Sequence, residues 1–370
     1  MFKRSGIGLI LSPLIIVIAL AVAPLLLSCS GPAAAPQQSS ASQQSSADQA
    51  PQSGKKAEDT AKKSGEPVKI RIAYGIPSEE QKYVMQKKPE ILKNYGKAYT
   101  LEWFQFQGTP PQGQALVADG VDAATLAGTV AAQLAAQSGF PFLITGSMIT
   151  EYKDKSFSTT WLVRDNSGIN SIKDLKGKTA GVNALGASLD QIQREAFKKA
   201  GLEPDKDIRI VEISFGLMED NLRKGNIDVG TFPQPFLINA MKNGGVKPLF
   251  KLTDIQPKYV QLINVFSTKF VKEHPDTVKA FIEDWKIASE FMQKNPDETK
   301  KIVADMTKIP LAVVNQYLLT KDDYYHDPIG EPDFETLQQN WDWMYDTGQI
   351  KKKLSVKDYY DPKFVPSAIK

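Results

Sequence analysis

Two short stretches carry residue types suited to holding an anion. Gly128-Thr129 and Gly186-Ala187-Ser188 each put glycine just before a hydroxyl residue at an expected helix start. The first N–H groups of a helix have no intrahelical partner and lie at the positive end of its dipole, so such a start suits a sulfonate or carboxylate. Plain helix capping uses the same residues, and both readings stay open. Gln107, Asn183 and Gln234 add uncharged hydrogen-bonding groups. Tyr74, Phe106, Trp161, Phe215 and Phe232 fall at or near expected strand ends, where they either sandwich a ligand or fill the core. Arg164 and Arg223 either reach a cleft and pair with an anion or stay solvated.

Covalent and metal chemistry find little support. The chain of 370 residues holds one cysteine and two histidines, His274 and His326, which excludes a disulfide framework and a Cys-rich metal cluster. Gly177-Lys178-Thr179 ends like a phosphate-binding loop, but Ile172 stands where that motif needs glycine. The run from Gly186 to Asp190 lacks one glycine of a nucleophile elbow, and no histidine is near it in sequence. Asp322-Asp-Tyr-Tyr-His-Asp327 reads as a solvated turn and Lys351-Lys-Lys353 as a surface charge run. No catalytic residue, metal or cofactor is expected. With Lys+Arg 45 against Asp+Glu 42, the net charge of +3 is too small for a nucleic-acid-binding face.

The elements that must position these residues alternate between two periods. Val68–Tyr74 alternates apolar and polar residues as a strand does. Ser78-Glu-Glu-Gln81 reads as a capping box opening a helix that Pro89 interrupts. Strands are expected at 100–106, 121–126 and 140–149, with helices from Pro110 and over 129–137. Further strands at 178–183, 208–213 and 227–232 alternate with helices at 188–200, 217–224 and 235–243, and Ser171-Ile-Lys-Asp174 caps a short helical turn. After a strand at 261–267 the chain is expected to be mostly helical, over 276–293, 297–306, 311–319 and 334–345. This alternation implies βαβ units and largely parallel sheets. Roughly 300 folded residues exceed one comfortable core, so two α/β lobes are expected. Ala118-Asp-Gly-Val-Asp122 and Arg223-Lys-Gly-Asn-Ile-Asp228 repeat one pattern. Ligands in open α/β sheets sit beyond the carboxyl ends of strands. That rule selects loops 74–77, 106–109, 126–130, 184–188, 214–216 and 231–235, none with a charged residue.

The N-terminus describes a location. Lys3 and Arg4 precede an apolar stretch from Ile7 to Leu27, as in a signal segment over 1–28. Leu26-Leu27-Ser28-Cys29 has the pattern of a bacterial lipobox, which predicts cleavage and lipidation at Cys29. An uncleaved membrane anchor is the other reading. Residues 30–66 contain no Val, Ile, Leu, Met or aromatic, so the segment 29–66 is expected to be a disordered leash spanning roughly 30–36 Å.

Several stretches resemble the solute-binding proteins of ABC importers in the nitrate, taurine and aliphatic-sulfonate family. Ser171-Ile-Lys-Asp-Leu-Lys-Gly-Lys-Thr-Ala-Gly-Val182 is similar to that family's entry to the second lobe. Ala200-Gly-Leu202, Asn221-Leu-Arg-Lys-Gly-Asn-Ile-Asp228, Gln234-Pro235-Phe236 and Gln114-Ala-Leu-Val-Ala-Asp-Gly-Val-Asp122 resemble further motifs, all in family order. The resemblance implies an α/β two-lobed clamshell of the periplasmic-binding-protein type II fold with two hinge crossings. Lobe one would comprise 67–162 and 262–370, and lobe two 163–261. It implies a lipid-anchored, monomeric, extracytoplasmic protein that hands a small organic anion to an ABC permease. The ligand would contact Tyr74, Phe106, Gln107, Gly128, Thr129, Trp161, Gly186, Ala187, Ser188, Phe215 and Gln234. The family's "P-x-G-S-x-x-H" loop appears as Asn183-Ala-Leu-Gly-Ala-Ser-Leu-Asp190, without Pro or His. An aromatic carboxylate, a pyrimidine vitamin precursor or a flavin therefore remains open as the ligand. An anchored hydrolase and a structural lipoprotein are the readings from other classes.

Overall fold

The computed structural model describes residues 66–369; the expected signal segment, Cys29 and nearly all of the expected leash lie outside them. Among the described residues no helix is long and apolar enough to cross a membrane. The chain opens with β1 (Val68–Tyr74), whose Ile70 and Ile72 are buried while Lys69 and Arg71 alternate with them. It continues through α1 (Glu80–Lys87), β2 (Tyr99–Gln105), α2 (Thr109–Val117), β3 (Ala123–Ala127) and α3 (Gly128–Gln137). The long strand β4 (Phe142–Tyr152) leads to β5 (Thr160–Arg164), β6 (Thr179–Val182), α4 (Ser188–Lys199) and β7 (Arg209–Glu212). Then come α5 (Phe215–Lys224), β8 (Val229–Phe232), α6 (Phe236–Lys242), β9 (Val246–Lys251) and α7 (Leu252–Ile255). The strand β10 (Lys258–Ser267) is followed by α8 (Thr268–Glu273), α9 (Pro275–Lys294), α10 (Pro296–Thr307), α11 (Leu311–Tyr317) and α12 (Phe334–Asp346).

Two sheets result, in the orders β2-β1-β3-β10-β4 and β7-β6-β8-β5-β9. In each, four strands run one way and one runs against them: β10 is antiparallel to β3 and β4, and β5 to β8 and β9. The reversed strand is in both cases the one that follows a crossing between sheets, so each sheet is mixed. The expected lobe edges at 162/163 and 261/262 fall inside β5 and β10, which pair along their lengths in the second and first sheet respectively.

The strands β5 and β9 are additions to the expected elements. Pro248 inside β9 argues against a strand from sequence, because proline cannot donate to a ladder. It is accommodated because β9 is an edge strand and its pairing with β5 shifts register between Trp161 and Leu162, beside Pro248.

Helices cover both faces of each sheet. Ile70, Tyr83, Phe266, Phe281 and Trp285 form one first-lobe core under α1 and α9. Leu126, Ala131, Trp341 and Met344 form the other under α3 and α12, so the C-terminal helices pack on the first lobe. Trp161, Ile192, Phe197 and Val229 fill one face of the second sheet, and Leu162, Met218, Leu222 and Phe232 the other. The duplicated Gly-and-Asp pattern does the same work in both lobes. Asp122 accepts from the Arg71 backbone N–H at 2.8 Å and from its guanidinium at 2.7 Å. Asp228 accepts from the Thr179 backbone N–H at 3.0 Å and pairs with Arg164 at 3.5 Å.

Candidate functional site

The strand ends of both sheets converge on a cavity of about 530 Å³ between the lobes. All six loops selected from the topology contribute to its wall. From the first lobe come Gly75–Glu79 after β1, Gln107–Thr109 after β2, and Ala127 at the end of β3. The second lobe contributes Asn183, Ala187–Leu189, Glu212, Ser214, Phe215 and Pro233. Strand β10 supplies Gln261 and Leu262, and the loop after α11 supplies Tyr324.

Four helices start at this wall: α2 after Gly108, α3 after Ala127, α4 after Ala187 and α5 after Ser214. None of them carries a side-chain cap on its first N–H groups. Their positive dipole ends therefore meet at one volume, with free N–H groups supplied mainly by α3, α4 and α5, because Pro110 and Pro111 in the first turn of α2 carry no N–H. The hydroxyls of Ser78, Thr109, Ser188 and Ser214 stand in the same wall.

No lysine, arginine or histidine lines the cavity, but two carboxylates do, one or more positions beyond the charge-free loops. Glu79, 2% exposed, accepts from the Gly75 N–H at 2.7 Å and from the Thr125 hydroxyl. Its partner is Lys82, fully buried, whose ammonium lies 3.6 Å away and donates to the Ala73 carbonyl at 2.6 Å and to Thr125 at 2.8 Å. Burial lowers the Lys82 pKa to about 8, against the opposing pull of Glu79, and burial raises that of Glu79. The pair is neutral as a unit. Sequence reading missed it because Ser78-Glu-Glu-Gln81 resembled a capping box. In the structure Ser78 adopts φ 75° and the Glu79 side chain turns back to Gly75 instead of closing a reciprocal cap. Glu212, at the end of β7, accepts from the Leu185 N–H at 3.0 Å.

Of the expected contacts, Gln107, Ala187, Ser188 and Phe215 line the cavity. Gly186 supplies the positive φ of 75° that turns the chain into α4. Thr129 sits one layer behind, its hydroxyl 3.1 Å from that of Ser188 across the lobes, with the Tyr259 phenol beside both. At Gly128 an added Cβ would stand 2.8 Å from the Val260 carbonyl, so only glycine lets β10 approach α3 this closely.

Four aromatic or amide candidates lie elsewhere. Trp161 is fully buried, stacked on Phe250 at 4.6 Å and donating to Gln193 at 3.1 Å. Tyr74 packs edge-on against Trp103 and donates to Gln105, and Phe106 packs on the first-lobe core. Trp161 and Tyr74 lie within strands, and their side chains project onto sheet faces that helices cover. Gln234 is buried away from the cavity, donating from its side chain to the Asp322 carbonyl at 3.2 Å and from its backbone to the Tyr324 hydroxyl at 3.3 Å. Arg164 is spent on the Leu222 and Ile227 carbonyls and Arg223 on Glu219 and the Ala240 carbonyl, so neither reaches the wall.

The acidic run at 322–327 is not the solvated turn expected. Asp323 and His326 are buried, His326 contacting Asp323 at 3.1 Å and the Met148 carbonyl at 3.2 Å, while Tyr325 pairs with Thr150. Among the described residues no group of three His, Cys, Asp or Glu could hold a metal ion.

The NMT1/THI5 like family profile matches residues 104–299, more than half of the chain. The chain belongs to that family. A Bacillus subtilis (strain 168) protein named for binding aliphatic sulfonates is 28% identical over 273 residues, covering 73% of this NMT1/THI5-like chain and 78% of that protein. The periplasmic aliphatic sulphonate binding protein SsuA from Escherichia coli superposes with a TM-score of 0.62 at 20% identity, over 80% of this chain and 92% of that one. The alkanesulfonate-binding protein SsuA from Xanthomonas axonopodis pv. citri, bound to MOPS, superposes with a TM-score of 0.64 at 18% identity, over 80% and 99%. The NMT1/THI5-like chain thus has the two-lobed α/β fold of the type II periplasmic binding proteins.

Proposed function

We propose that this chain is the extracytoplasmic solute-binding component of an ABC importer and that it captures a small organic anion between its lobes without turnover. The observation that carries the reading is the convergence of four uncapped helix N-termini on one interlobe cavity. Each such terminus favours a negative group by about 0.3–2 kcal/mol. The names of the sulfonate-binding relatives support the same ligand class. The protein acts as a monomer tethered through lipidated Cys29, with the segment that follows serving as a leash, and it presents its closed form to the permease. A solute that touches both walls binds the closed arrangement more tightly than the open one, and this difference sets the shift between them. Phe215 in the wall and the volume of about 530 Å³, within the range of sites for larger organic ligands, favour an aromatic or heterocyclic solute over a minimal anion such as nitrate.

Native mass spectrometry of the purified chain, before and after denaturing release, tests the reading. A co-purified small anion is the expected result. A bare protein mass, together with no thermal shift from sulfonates or aromatic acids, refutes it.

A further inference from the structure

A second cavity, of about 640 Å³, shares no wall residue with the solute cavity. Its wall combines both crossings between the lobes with one element of each lobe. Phe157 and Ser158 lie on the crossing from β4 to β5, Thr253 on the return crossing, Leu237 and Ile238 on α6, and Asp322 in the loop after α11. The crossings are tied here, since Thr253 donates to the Ser158 hydroxyl from its backbone at 3.1 Å and from its hydroxyl at 3.0 Å. Gln234 marks the boundary between the two cavities. It lines the second, while its neighbour Pro233 lines the first. Its backbone N–H donates at 3.3 Å to the hydroxyl of Tyr324, another residue of the solute cavity wall. Gln234 is 3% exposed, and its side-chain N–H donates to the Asp322 carbonyl at 3.2 Å, which leaves the amide oxygen as the free end. That oxygen is shielded from bulk water and accepts no hydrogen bond among the described residues. A buried acceptor without a partner is costly, so this one calls for a donor. The surface around it is apolar, from Phe157, Leu237, Ile238, Met241 and Pro248, and Met241 is left 42% exposed. Charge in the wall cancels, with Lys153, Lys251 and Lys321 against Asp154, Asp254 and Asp322, so the cavity selects neither sign.

We propose that this second cavity is a binding site for a small uncharged organic molecule, whose apolar body rests on α6 and Phe157 and whose N–H or O–H donor is received by the Gln234 side-chain oxygen. The site is separate from the solute cavity, and it stands or falls without reference to what the solute is.

Among the described residues Met241 is the one methionine in this wall, so its methyl group reports on the site. The test labels the methionine methyls of the purified chain with carbon-13, assigns Met241 by Met241→Leu, and titrates two matched pairs. These are benzamide with N,N-dimethylbenzamide, and benzyl alcohol with benzyl methyl ether; only the first member of each carries a donor. A saturable shift of the Met241 signal is expected, with the donor-bearing member binding about twofold to tenfold tighter, the span of one neutral hydrogen bond. Gln234→Met removes the acceptor and is expected to erase the difference within each pair. Ile238→Trp fills the cavity, leaves Gln234 in place, and is expected to abolish the saturable shift, with the melting temperature showing that the chain is folded. If Gln234→Met does not fold, the two pairs on the parent and the Ile238→Trp variant still decide. No saturable shift of Met241, shifts confined to other methionines, or equal affinities within both pairs each overturn the proposal. So does a shift that survives Ile238→Trp.

Discussion

Replacing Lys82 by methionine should expose how strongly the cavity floor depends on a buried ion pair. The substitution leaves the Glu79 carboxylate, 2% exposed, without its cation. At 3.6 Å and an effective dielectric of 20, the lost attraction is about 4–5 kcal/mol. The lost hydrogen bonds to Ala73 and Thr125 add to it, and uptake of a proton by Glu79 offsets part of it. A net loss of about 3–5 kcal/mol is expected, the usual cost of breaking a buried pair from one side. Replacing both partners, as Glu79→Gln with Lys82→Met, removes both charges and keeps an acceptor for the Gly75 N–H. That double variant should lie within about 1–2 kcal/mol of the parent. The assay is urea unfolding of the solute-free chain at pH 7, below the lowered Lys82 pKa of about 8, so that the ammonium is charged. A single variant within 1 kcal/mol of the parent, or a double variant that loses the sum of the two singles, refutes the pairing argument.

Two further outcomes follow from buried groups. Burial raises the Glu80 pKa to about 7, with His326 pulling it back, while His326 is held above its ordinary value by Asp323 and Glu80 in spite of its own burial. Both groups bind protons more tightly in the folded chain. The stability Glu80 contributes is therefore present below the ordinary glutamate pKa and lost as pH rises through about 7, on the order of 3 kcal/mol, whereas that of His326 is present below the ordinary histidine pKa and lost as pH rises beyond it. Glu80→Gln should flatten the fall in unfolding free energy between about pH 5 and about pH 7.5, and an unchanged slope contradicts the assignment. Separately, Thr129→Val removes the interlobe hydroxyl pair with Ser188, worth about 0.5–1.5 kcal/mol. It should shift the solute-free chain toward open lobes by roughly twofold to tenfold, read as a larger radius of gyration in small-angle scattering; no change would mean that the pair does not hold the lobes together.

The alternation of strand and helix was legible because it needs only local periodicity. The starts of β1 and α4 and the capped turn at Ser171–Asp174 coincide with sequence signals. The duplicated Gly-and-Asp pattern was legible as a repeat, but its job, pinning Asp122 to Arg71 and Asp228 to Thr179, emerges only when distant strands meet. Strand β9 stayed hidden because its Pro248 is acceptable only at an edge beside a register shift, and edges are a property of the assembled sheet.

The same division runs through the site. Sequence by itself determined which loops surround the cavity, since the carboxyl ends of co-directed strands follow from chain order and handed crossovers. It also determined the scarcity of histidine and cysteine. Tertiary structure alone decided which side chains face the cavity. Trp161 was drawn into the core because strand side chains project onto the sheet faces, where helices bury them. Glu79 and Lys82 were drawn inward as a pair, although each residue type by itself belongs in water, because a buried charge is tolerable only when a partner three residues along a helix and a cluster of fixed dipoles replace its hydration.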